Sequence, residues 1–168
     1  KVYVIKGGKK VWIPTAAAFV AAGYDWNAIQ TVPAAEVSDT TTGSLIRVEG
    51  MPQVYVLKGS VKRHIPSAQA FVNEGYNWDD IVVVPNEHGN AYRTANLIRT
   101  AGDIKVYIVE KGFKRHIPNP ASFNSYNYRW EDVVDVSATE VAGYTQANLM
   151  RALDDFKVYL LEGNTRKW

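Results

Sequence analysis

A basic side chain close to an aromatic or imidazole ring recurs four times, as Lys10-Val11-Trp12, Lys62-Arg63-His64, Lys114-Arg115-His116 and Arg166-Lys167-Trp168. Such a pairing can grip a sugar ring or an anionic polymer, the ring stacking while the cation donates hydrogen bonds. Trp12, Lys62, His64, Lys114, His116 and Trp168 are therefore the candidate ligand-binding residues. The same pattern also suits the solvent-facing side of an edge strand, where the ring covers the sheet and Lys or Arg guards the edge against further pairing.

Other chemistries find less support. His64 and His116 could ligate a metal only if two parts of the chain brought them within a few ångströms, because a site needs three or four convergent ligands. His88 reads as a single histidine in a loop, and no metal or other cofactor is expected. The paired acids Asp79-Asp80 and Glu131-Asp132 need only the dipole of a short helical turn for explanation. There is no nucleophile elbow and no glycine-rich phosphate loop, since Lys6-Gly7-Gly8-Lys9-Lys10 is a hairpin turn. No enzyme activity is expected.

What must position these residues is a folded chain. Its 168 residues are 46% hydrophobic and 12% aromatic, too rich for disorder, and no apolar run approaches the ~20 residues of a membrane span. A net charge of +2, with the cations interspersed among comparable numbers of acids, provides no field to gather phosphates, so nucleic acid is not an expected partner. With no cysteine, any extracellular life rests on packing alone. The sequence begins at Lys1 without a methionine or a signal-like stretch, which fits either a cleaved product or a piece of something longer.

The organising feature is a repeat. Val2-Tyr3-Val4-Ile5 returns as Val54-Tyr55-Val56-Leu57, Val106-Tyr107-Ile108-Val109 and Val158-Tyr159-Leu160-Leu161, each time at an offset of 52. The same offset carries Ile13-Pro14, Phe19, Trp26 and Leu45-Ile46-Arg47 into two further copies without insertion or deletion. Units are thus expected at 1–52, 53–104 and 105–156, with 157–168 repeating the first twelve residues as the hairpin of a partial fourth. A closed three-unit ring would have no place for that extra hairpin, so the expectation is an open row.

Within a unit the residue types predict a three-stranded β-meander, illustrated by Leu97–Arg99, Val106–Val109 and Lys114–Ile117. Pro118 ends the ladder, and Asn119, like Thr15 and Ser67, caps a helix of about two turns. That helix should stop at Gly23, Gly75 and Asn127, residue types that accept a left-handed backbone, with Tyr24, Tyr76 and Tyr128 sealing the end. Trp26, Trp78 and Trp130 then open a short helical turn and are expected inside as plugs, and Val82–Val84 adds a brief strand. The stretches 38–43, 86–90 and 137–143 read as polar joints. The fold class is α+β: tandem repeats of a three-stranded meander plus a short helix.

At these residues the chain resembles the tandem motif V-Y-x-x-x-x-G-x-K-R-x-I-P-x-x-x-x-F-x-x-x-G-Y-x-W-x-D-V of bacterial secreted and cell-surface proteins, sometimes found beside wall-degrading or proteolytic domains. The resemblance spans essentially the whole chain and implies an extracellular accessory role. It departs from the motif at Asn127 and at Val11-Trp12. The function expected is a non-catalytic surface module attaching to cell-wall or extracellular glycan. The alternatives are a structural subunit of a self-assembling array or filament, whose partner is another copy of itself, and more remotely an accessory domain of a wall-active enzyme.

Overall fold

The computed structural model describes residues 1–152, 155–162 and 165–168. It is a mixed α/β structure with sixteen strands and six short helices among the described residues, divided into two compact units, Lys1–Ala95 and Asn96–Trp168.

In the first unit, β1 (Val2–Lys6) and β2 (Lys9–Ile13) form an antiparallel hairpin. Then come α1 (Ala16–Ala21), a 3-10 turn at Trp26–Ala28, α2 (Ala34–Asp39) and β3 (Thr41–Thr42), which pairs in parallel with β2. The chain continues through β4 (Leu45–Val48), β5 (Val54–Lys58), β6 (Val61–His64), α3 (Ala68–Asn73), a 3-10 turn at Trp78–Asp80, β7 (Ile81–Val84), α4 (Asn86–Asn90) and β8 (Arg93–Thr94). These strands make a five-stranded sheet in the order β7-β4-β5-β6-β8. Its centre is the expected antiparallel meander, and its two outer strands are parallel to their neighbours. Because β4 precedes residue 53, the hydrogen-bonded sheet runs from Leu45 to Thr94.

The second unit has the same kind of sheet. β9 (Leu97–Thr100), β10 (Val106–Glu110), β11 (Phe113–Ile117), α5 (Pro120–Ser125), β12 (Val133–Val136), α6 (Ala138–Gly143) and β13 (Thr145–Gln146) give the order β12-β9-β10-β11-β13. A separate three-stranded sheet follows, of β14 (Leu149–Arg151), β15 (Val158–Glu162) and β16 (Thr165–Lys167). Within the stretch expected to form a partial fourth unit, 157–168, β15 and β16 pair antiparallel, and residues 163–164 lie outside the described residues.

Local chemistry accounts for the first helix of each motif. The side chains of Thr15, Ser67 and Asn119 accept from the amides of Ala18, Ala70 and Ser122 at 2.8 to 3.1 Å. At the other end, Gly23, Gly75 and Asn127 all have positive φ, 77°, 74° and 55°. The Gly23 amide donates to Val20 and the Tyr24 amide to Phe19, the paired bonds that close a helix with a left-handed residue. Asparagine tolerates that conformation less well than glycine. Asn127→Gly is accordingly expected to raise the unfolding free energy of its unit by about 0.5–1 kcal/mol. Urea titrations of the two proteins measure it, and an unchanged or lower midpoint would show that the asparagine is not strained.

Two expectations are corrected. Two of the stretches read as polar joints, 86–90 and 137–143, contain α4 and α6, which lie on the sheets, while 38–43 takes in only the end of α2. Val141 of α6 packs with Ile98, Val109, Val136 and Tyr144. Gly89 of α4 sits so close to β4 that a Cβ there would fall 2.5 Å from a Val48 methyl. The tryptophans are not inside either. Phe19, Phe71 and Phe123 hold the core positions at 1–4% exposure, and each indole lies flat over its phenylalanine, remaining about half exposed. The ring centroids are 3.9 to 4.1 Å apart.

Candidate functional site

In three of the four basic-aromatic strands the first lysine, Lys10, Lys62 or Lys114, turns to a helix carbonyl, whereas the cations of β16 are exposed. Lys62 sits in β6, only 6% exposed, and its ammonium donates to the Gly89 carbonyl at 2.8 Å and to Asn90 Oδ1 at 3.3 Å. Lys114 donates to the Val141 carbonyl at 2.6 Å, and Lys10 to the Val37 carbonyl. Donors and acceptors both follow the 52-residue spacing. In each case a lysine meets the carbonyl end of the second short helix after its strand, α2, α4 or α6, where the dipole and the unpaired carbonyls favour a cation. Burial lowers the pKa of Lys62 and Lys114. The Lys62 ammonium also lies 5.1 Å from the centroid of the Tyr55 ring.

The rings of the candidate set are held in separate partnerships. His64 is opposite Tyr55 in the ladder, with ring centroids 5.6 Å apart, and His116 is opposite Tyr107 at the same distance. Burial pushes both imidazoles below their ordinary pKa, and for His116 the Lys105 charge adds to it while Asp103 opposes. Trp12 meets the edge of Tyr92 at 6.3 Å, with the Lys1 ammonium 5.5 Å from its ring centroid. Trp168 is 83% exposed, with Lys157 5.1 Å from its ring centroid. These contacts bring Trp12, Lys62, His64, Lys114, His116 and Trp168 to no common ring cluster.

Sequence reasoning missed two features. One is His88, which sits in α4, fully buried. Its Nε2 lies 2.8 Å from the Trp12 carbonyl and its Nδ1 3.2 Å from the Tyr24 hydroxyl. Since a carbonyl can only accept, Nε2 carries the proton and Nδ1 accepts from Tyr24. The Tyr92 hydroxyl donates to the same Trp12 carbonyl. Burial raises the pKa of Tyr24 and of Tyr92. His88 thereby ties α4 to the first hairpin and the first helix. The signal was the shared position of His88, Glu36 and Glu140 in the period, one turn before Tyr92, Thr40 and Tyr144.

The second feature is the set of indoles. Trp26, Trp78 and Trp130 are each fixed by a 3-10 turn, which Asp25 and Asn77 cap in the first two cases by accepting from the amides of Asn27 and Asp79. One face of each ring is covered by a phenylalanine, and 48–49% of the residue is open to solvent. A rigid, half-open indole is a stacking platform for a planar or ring-shaped apolar face. In the first unit there is also a groove of about 540 Å³ between β1 and the segment 28–40.

Among the described residues no three His, Cys, Asp or Glu side chains are grouped to hold a metal ion, and no helix is long and apolar enough to cross a membrane. Comparison with protein-family models, with curated proteins and with solved structures finds no match.

Proposed function

We propose that the chain is a non-catalytic, extracellular repeat module, an open row of 52-residue α+β units that attaches to a cell-wall or extracellular glycan. The observation that carries this reading is the recurrence of a half-exposed indole stacked on a buried phenylalanine, as Phe19/Trp26, Phe71/Trp78 and Phe123/Trp130. Sugar rings present patches of C–H that stack on such faces, and three weak platforms on one chain gain from simultaneous engagement along a polymer. The likeness of the repeat to motifs of bacterial secreted proteins supports the same setting. Lys62 and Lys114 leave the ligand set, because their ammonium groups serve helix carbonyls.

Titration of the chain with purified wall polysaccharide, followed by calorimetry, tests the proposal. Each of Trp26→Ala, Trp78→Ala and Trp130→Ala should weaken binding about three- to tenfold, while the double variant His64→Ala/His116→Ala leaves it unchanged. Absence of binding, or equal affinity in the triple tryptophan variant, overturns it.

A further inference from the structure

The three indole platforms share a setting that narrows what can stack on them. Phe19, Phe71 and Phe123 cover one face of Trp26, Trp78 and Trp130 at interplanar angles of 28°, 20° and 17°, so each ring has only its other face open. Exposure is 48%, 49% and 49%, the same in the middle repeat as in its neighbours, so the open face belongs to the repeat itself. A ligand is therefore held from one side by a flat ring, whose negative π-face favours a surface of C–H bonds.

Beside each indole the charge is mainly acidic. The turn contributes Asp25 in the first repeat, Asp79 and Asp80 in the second, and Glu131 and Asp132 against one base, Arg129, in the third. Asp25, Asp79, Asp80 and Glu131 are exposed. The nearby bases are already engaged: Arg129 Nε donates to Glu131 at 2.8 Å, and Lys9 pairs with Asp80 at 3.1 Å. Lys1 shares a shallow depression with Trp26, yet its ammonium lies over the Trp12 ring, and the second repeat has Gln53 in its place.

The cations that could have drawn an anionic polymer are turned elsewhere. Lys10, Lys62 and Lys114 each donate to a helix carbonyl. Burial holds His64 and His116 below their ordinary pKa, so neither imidazole supplies a positive charge at neutral pH.

We propose that the platforms select an uncharged, equatorially substituted hexopyranose in a β-1,4-linked chain and reject the same chain when it carries carboxylates. In such a sugar the substituents lie near the ring plane and the axial hydrogens point to the two faces, so either face stacks on an indole. An axial hydroxyl lifts one face away. The exposed carboxylates accept hydrogen bonds from neutral hydroxyls, whereas an anionic sugar meets like charge at every platform. The β-1,4 linkage keeps successive rings in a flat ribbon, which presents the same kind of face to one platform after another. This inference rests on the glycan reading and specifies the glycan.

Calorimetric titration of the full chain with a β-1,4-linked glucose hexamer, and with the same hexamer oxidised at C6 to glucuronate, separates charge from shape. At low ionic strength the neutral hexamer should bind about tenfold more tightly, and the ratio should shrink in about 0.5 M salt as the repulsion is screened. A β-1,4-linked galactose hexamer, with its axial hydroxyl, should bind at least about threefold more weakly than the glucose one. The triple variant Asp25→Asn/Asp79→Asn/Glu131→Gln should bind the oxidised hexamer at least about threefold more tightly than the parent does. Its circular dichroism should match the parent, because the three side chains are exposed and asparagine still caps the first turn, as Asn77 caps the second. Equal or tighter binding of the oxidised or the galactose hexamer overturns the inference, as does a triple variant that gains nothing. A chain that ignores every hexamer yet binds wall polysaccharide through its tryptophans also overturns it, and the glycan reading survives all of these results. Binding to no hexamer and to no wall polysaccharide removes both.

Discussion

His88→Ala is expected to lower the unfolding free energy of the unit Lys1–Ala95 by about 3 kcal/mol, because it empties a fully buried position and removes two hydrogen bonds at once. The Tyr24 hydroxyl loses its acceptor, and the Trp12 carbonyl keeps only Tyr92. The same residue sets a pH dependence. Burial pushes the imidazole pKa down; the bond to the Trp12 carbonyl opposes this, and the Lys6 charge adds to it. An unfolded histidine begins to bind a proton near pH 6.5, where the folded ring is still neutral. The unfolded chain then holds more protons than the folded one, so stability falls as the pH drops through that value. His64 and His116 are shifted in the same direction and contribute with the same sign. Urea titrations at pH 7.5 and 5.5 should show a loss at the lower pH that is smaller in His88→Ala than in the parent. Equal losses would mean that His88 is protonated without penalty and that its ring is not held as the geometry places it.

The elements that could be read from the sequence are those closed by local bonds. The hairpins, the caps at Thr15, Ser67 and Asn119, and the left-handed stops at Gly23, Gly75 and Asn127 each involve residues within a few positions, and residue type decides them. What escaped depends on partners far away. The β7 strand is recognisable as β-branched, but its parallel place beside β4 joins Leu45 to Ile81 with no hairpin to announce it. Likewise α4 looks polar in Asn86-Glu87-His88-Gly89-Asn90, and its His88 is buried because the ring finds an acceptor in the first hairpin and a donor just after the first helix. Lys62 reads as an edge charge for the same reason: the carbonyl that draws it inward is 27 residues on. The candidate site suffered most, since a basic residue beside a ring looks the same whether the cation faces solvent or a helix end.

Phe71→Ala and Trp78→Ala should differ sharply although the two rings touch. Phe71 is 1% exposed and packs with Leu45, Ile65 and Ala70, so its removal opens a cavity that the sheet cannot collapse to fill. The expected loss is about 3–5 kcal/mol, enough to unfold a marginal unit. Trp78 leaves 49% of its surface in water and covers only the outer face of Phe71 at 3.9 Å, so truncation should remove about 1–1.5 kcal/mol of stacking and partial burial. Thermal unfolding of the two variants beside the parent measures the contrast. It also decides what the indole is for. A Trp78→Ala loss near that of Phe71→Ala would make the tryptophan the structural plug that its sequence suggests, and weaker glycan binding in that variant would then reflect a damaged fold. A small loss leaves a large aromatic face held rigidly at the surface in every copy with little return in stability, as a contact surface requires.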